Sequence, residues 1–127
     1  FSNIQCFHFG STENGLLAID GKLVKGVKIE EAELAVENVL EQMKQEVVME
    51  IELQKVKNKT ESMIVFEDMS VMSRATSLAY YETLGDAAWM NFELEKYNTV
   101  TTQDILEESR NIFRKENCNT IYYLSDN

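Results

Sequence analysis

The chain has 127 residues, 12 Lys+Arg against 22 Asp+Glu, and a formal net charge of −10. The length fits one domain or part of one, and at 44% hydrophobic residues the chain can build a core, which a disordered acidic tail cannot. The negative charge argues against nucleic-acid backbones and anionic membranes as partners, since both need clustered Lys and Arg. A single His excludes every zinc motif that needs two.

Asn3 to Phe9 alternates, with Ile4, Cys6 and His8 on one face and Gln5, Phe7 and Phe9 on the other. Ser11-Thr12-Glu13-Asn14-Gly15 reads as a turn. Leu16 to Val24 reads as a second strand with Gly21 marking a bulge, so the two strands form an antiparallel hairpin. From Ile29 the period becomes helical. Ala32, Val36, Val39, Leu40 and Met43 form the apolar line, and Glu30, Glu33, Glu37 and Glu41 the solvated one.

A second helix is expected to begin near Glu50, with Leu53, Val56, Met63 and Ile64 inward. Ser70 to Leu84 carries Val71, Ala75, Leu78 and Ala79 at helical spacing. Gly85 suits the residue just past that helix, because glycine takes positive φ freely. Asp86 suits the N-cap of a shorter helix through Trp89 to Tyr97. Thr101 and Asp104 fit a capping box for the last helix, with Ile105, Ile112 and Phe113 as its apolar face. Arg110, Arg114 and Lys115 complement the negative end of its dipole. Cys118 to Leu124 is rich in β-formers and is expected to be a third strand. The expected fold is therefore α+β, an antiparallel sheet packed on one face by about four helices, in the order β-β-α-α-α-α-β.

Charge is uneven along the chain. Residues 1–28 hold Lys22, Lys25 and Lys28 against Glu13 and Asp20, a net of +1, which leaves −11 on the rest. No linker separates the two parts, so residues 1–127 read as a single partial domain. No stretch approaches the roughly 20 apolar residues of a membrane span. The opening residues lack the basic-then-apolar pattern of a signal peptide. The chain opens at Phe1 directly into a strand pattern, and the expectation is that it is cut from something longer. Cys6 and Cys118 are too few for a disulfide framework; they read as buried thiols or one bridge, with the cytoplasm as the default compartment.

From Glu50 onward the chain resembles the C-terminal region of the insulinase-like (pitrilysin) zinc metallopeptidases. The resemblance rests on Glu52-Leu53-Gln54-Lys55-Val56-Lys57-Asn58-Lys59, Glu61-Ser62 and Met69-Ser70-Val71. It continues through Leu78-Ala79-Tyr80-Tyr81-Glu82-Thr83-Leu84-Gly85-Asp86 and Glu95-Lys96-Tyr97-Asn98-Thr99-Val100-Thr101. Asp104-Ile105 and Glu116-Asn117 through Leu124 close it. Gly15 to Leu23 and Glu30-Glu31-Ala32-Glu33 extend it to essentially the whole chain.

The resemblance implies paired homologous domains forming a clamshell around an unfolded peptide. Zinc would be held by a His-x-x-Glu-His motif and a downstream Glu in the first domain only. This chain resembles the latter part of the second, non-catalytic domain. The Arg and Tyr that help hold substrate in that domain would lie before Phe1 and close to Ser2-Asn3. Neither Ser2 nor Asn3 is Tyr, so no catalytic, cofactor-binding or metal-binding residue carries over. The implied partners are the catalytic domain of the same parent protein and that parent's peptide substrate.

Other candidates have plainer readings. Cys6 and His8 share a strand face, and with Cys118 they supply three donors of zinc type, but the spacing leaves a fourth ligand unspecified and ordinary packing is expected. The Glu-rich helix faces read as solvated surface. Trp89, Met90 and Phe92, and the pair Met69 and Met72, read as core, with a patch for a partner domain as the alternative. Tyr80 and Tyr81 are candidates for contact with peptide in the chamber. The leading expectation is a non-catalytic domain fragment forming part of a peptide-chamber wall, not an enzyme by itself and without a cofactor of its own. The alternative is an autonomous acidic protein-interaction module. A sheet with open edges further implies that the isolated chain forms a homodimer.

Overall fold

The computed structural model describes residues 1–10 and 13–124; Ser11 and Thr12 of the expected turn lie outside the described residues. Strands β1 (Asn3–Phe9) and β2 (Leu16–Lys22) pair antiparallel, from Asn3 opposite Lys22 to Phe9 opposite Leu16. The register runs unbroken through Ile4 opposite Gly21, so Gly21 marks no bulge. Its role is steric. The Phe1 ring lies 2.7 Å from where a Cβ on Gly21 would sit, a separation that no real side chain tolerates.

The helices follow in order: α1 (Ile29–Gln45), α2 (Glu50–Asp68), α3 (Val71–Leu84), α4 (Glu93–Thr99) and α5 (Thr102–Ile112). A 3₁₀ segment, Ala87–Phe92, precedes α4, and another, Lys115–Asn117, follows α5. The chain is α+β. Among the described residues the five α-helices lie at the five places where the sequence shows helical patterning, one more than the order of four helices allows, and the short helix expected from Asp86 opens instead as the 3₁₀ segment before α4.

Local signals explain most boundaries. Ser70 caps α3 by accepting from the Ser73 N–H at 3.3 Å, and Asp86 accepts from the Ala88 N–H at 2.8 Å. At Gly85, φ is 133°, and its N–H donates to the Tyr81 and Glu82 carbonyls while the Asp86 N–H reaches Tyr81. That pattern closes α3 with a Schellman turn. At α5 both halves of the capping box form between Thr101 and Asp104.

The helical body is held by α1 against α5, α2 against α3 and α4, and α3 against the 3₁₀ segment. Among the described residues its buried ones are Ala32 on α1, Leu53 on α2, and Leu106 and Ser109 on α5. Long-range bonds tie the pieces together, the following two among them. Arg110 Nε donates to the Lys44 carbonyl at 2.9 Å, and Lys57 Nζ donates to the Asn98 carbonyl at 2.8 Å.

Two expectations are corrected. Cys118–Leu124 is not a strand; it is an irregular segment beside α1, where the Tyr122 hydroxyl donates to a Glu33 carboxylate oxygen at 2.7 Å. β-formers make a strand only where a sheet edge receives them, and here the segment is tied to a helix instead. The sheet, two-stranded among the described residues, is also not covered by helices on one face. Every residue of β1 is exposed, and β2 is half-buried only at Leu17 and Ala18, which point to opposite faces.

Candidate docking surface

The sequence-flagged donors do not converge. Cys6 and His8 stand on the exposed β1, with the His8 ring lying over Gly15. Cys118 follows the second 3₁₀ segment, where its sulfur is 4.0 Å from the Thr120 hydroxyl. Both cysteines are free and exposed, which corrects the expectation of buried thiols or a bridge. Among the described residues no three His, Cys, Asp or Glu side chains gather in the geometry of a metal site.

The apolar groups expected in the core lie largely outside it. Trp89 and Phe92 are exposed and Met90 is half-buried. The Trp89 ring is covered on one side by Lys96, whose Nζ is 5.8 Å from the ring centroid. On α3 the inward line is Ser73, Ser77, Tyr81 and Leu84, while Val71 is 86% exposed. With Phe66, Met69 and Met72 also exposed, the corner between α2 and α3 becomes an apolar knuckle. On α5 the sequence reading missed Leu106, which is buried, and chose Ile112, which is not. The signal was present: Ile105, Leu106 and Ser109 recur at the three- and four-residue spacing of one helix face.

Tyr80 and Tyr81 meet edge to face at 5.6 Å. Tyr80 is exposed and reachable, whereas Tyr81 is half-buried beside Glu93. Burial, then its bond to the Glu93 carboxylate, pushes the Tyr81 hydroxyl up to about 12, so it remains a neutral donor. The Glu33 carboxylate likewise raises the Tyr122 hydroxyl above its ordinary value. Between the end of α1 and the start of α2 a cleft of about 380 Å³ is lined by Val39, Met43, Val47 and Met49, with Glu46 and Glu52 among its polar groups.

The sum of these exposures is large. The chain presents 10738 Å² of surface, where a compact monomer of 14.6 kDa presents about 6,900 Å². That surface includes large apolar side chains that are more than half exposed, Phe66, Met69, Val71 and Met72 among them, and exposed apolar groups that lie together are what a partner covers. No helix among the described residues is long and apolar enough to cross a membrane. No protein-family model and no curated protein matches the chain.

Proposed function

We propose that this chain is a non-catalytic portion of an insulinase-like zinc metallopeptidase, working in the cytoplasm as part of the wall of a peptide-binding chamber. The observation that carries the docking role is the surface of 10738 Å², well beyond that of a compact monomer of this mass. A companion domain accounts for it. The family is carried by the ordered resemblance from Gly15 to Leu124. On this reading zinc would be held by the parent's other domain, where it would lower the pKa of a bound water.

A second reading, an autonomous acidic interaction module, draws on the exposed Glu faces of α1 and the net −11 on residues 29–127. Reading the coding sequence around this chain separates the two. An upstream His-x-x-Glu-His half that co-purifies with the chain, carrying one zinc per complex, is the expected result. An open reading frame without that motif overturns the peptidase reading, and so does one tightly held zinc per chain in the purified 127-residue protein.

A further inference from the structure

We propose that the cleft between α1 and α2 receives residues 22–28 of a second copy of this chain. The inference stands apart from the peptidase reading, since it uses only that segment, the cleft and the helix between them. The segment joins β2 to α1 and reads Lys-Leu-Val-Lys-Gly-Val-Lys, three lysines with no carboxylate. The Val27 N–H donates to the Val24 carbonyl at 3.2 Å, and Gly26 takes a φ of 91°. Those features make a tight turn with glycine at its third position and Lys25 at its tip. Val24, Val27 and all three lysines are exposed. Among the described residues none of these lysines forms an ion pair.

The cleft has the complementary character. Val39, Met43, Val47 and Met49 make it apolar, and methionine adapts its shape to what it covers. Glu46 and Glu52 are its charged groups, and among the described residues no lysine or arginine lines it. Gln42 Nε2 donates to the Glu46 carboxylate at 2.9 Å and holds it in place. The Glu52 carboxylate has no ion-pair partner among the described residues. A protruding turn with two valines and a lysine tip therefore meets a concave apolar site flanked by carboxylates. Opposite charge selects the partner and its orientation, and burial of the valines supplies affinity.

Within one chain the two surfaces are held apart. Lys28 is the N-cap of α1, and the cleft lies at the other end of that helix, whose 17 residues span about 25 Å. A second copy brings turn and cleft together. Reciprocal contacts close a two-fold pair, and a single contact repeats head to tail. The smaller cleft beside the α2–α3 corner, about 240 Å³, is a poorer seat, because Arg74 lines it and repels a lysine tip. The −10 on each copy opposes self-association from afar. At physiological salt that field decays over about 8 Å, so the groups that face each other decide.

Sedimentation velocity of the full 127-residue chain, reduced and at physiological salt, should show mass rising with concentration. Lys25→Glu at the turn and Glu52→Lys in the cleft both alter exposed side chains. Each should raise the dissociation constant about tenfold or more, because like charges then face each other. An equimolar mixture of the two should recover association, since the intact turn of one variant meets the intact cleft of the other. The double variant, with its charges exchanged, should recover it too. Where circular dichroism shows either variant losing helix, Lys22→Glu or Glu46→Lys takes its place. Glu52→Lys reduces the chain's net negative charge, so association governed by overall charge would strengthen in it, and that result overturns the proposal. So does a monomeric mass up to about 1 mM, association unchanged in both single variants, or a mixture of folded variants that stays monomeric.

Discussion

Replacing Thr101 by Ala tests how far one helix cap supports this fold. The Thr101 hydroxyl accepts from the Asp104 N–H at 3.1 Å and donates to the Asp104 carboxylate at 2.7 Å, and the Thr101 N–H donates to the same carboxylate oxygen at 2.8 Å. The substitution removes the first two bonds and spares the third. The expected cost is about 1 kcal/mol, within the range of about 0.5–2 for a lost N-cap side chain. Because α5 supplies Leu106 and Ser109 to the buried set and packs on α1, the loss should be felt by the whole helical body. In urea, with a slope of about 1–3 kcal/mol/M for a chain of this size, the midpoint should fall by about 0.3–1 M. The pH dependence has a definite sign. The Thr101 hydroxyl first, then the Thr101 N–H, holds the Asp104 carboxyl below its ordinary value. The stabilisation is thus present above the free carboxyl's pKa and lost as pH falls through the lowered one. The gap between wild type and variant should therefore narrow in acid without closing, because the bond from the Asp104 N–H to the Thr101 hydroxyl does not titrate. Coincident midpoints at neutral pH, or a gap unchanged in acid, would refute the reasoning.

Leu106→Ala should cost about 2–4 kcal/mol because it empties a buried site, while Val71→Ala, at an exposed position, should stay within about 0.5 kcal/mol; equal effects in thermal melts would mean α5 is not central to the core. Tyr81, held neutral up to about 12, should resist ionisation in a spectrophotometric titration. Its raised value implies stability that is intact below pH ~10, where the unfolded tyrosine is still protonated, and is lost as pH climbs through about 12. Tyr81→Phe should remove that part of the alkaline transition, and an unchanged alkaline profile would count against the Glu93 contact.

What was legible in the sequence is what depends on near neighbours along the chain. Gly85 takes its positive φ, Asp86 and Thr101 cap where their side chains can reach amides two or three residues on, and the hairpin keeps its two strands, the second ending at Lys22 rather than Val24. Facing was less legible. On α3 the apolar stripe through Val71 and Leu78 is real as a pattern, but the helix turns Ser73, Ser77 and Tyr81 inward. Periodicity shows that a stripe exists; which neighbour covers it is decided by tertiary packing. The same limit explains Val39 and Val56, which lie in the expected stripes and are exposed. Cys118–Leu124 failed for a related reason, since β-propensity describes fitness for a sheet surface and the segment lies by α1.

The two apolar exposures sit in different electrostatic settings, and that separates their occupants. Around the hairpin the net charge is only +1. The α2–α3 corner is different. Phe66, Met69 and Met72 are exposed there beside Glu67 and Asp68, within the part of the chain that carries −11. A second copy brought to that corner would set acid against acid. A surface complementary to the corner has apolar groups at its centre and Lys or Arg at its rim, which is a property of a different protein surface. Charge reversal at Glu67 and Asp68 should therefore weaken binding of a surface rimmed by Lys or Arg while leaving the chain's own fold intact, since both side chains are exposed.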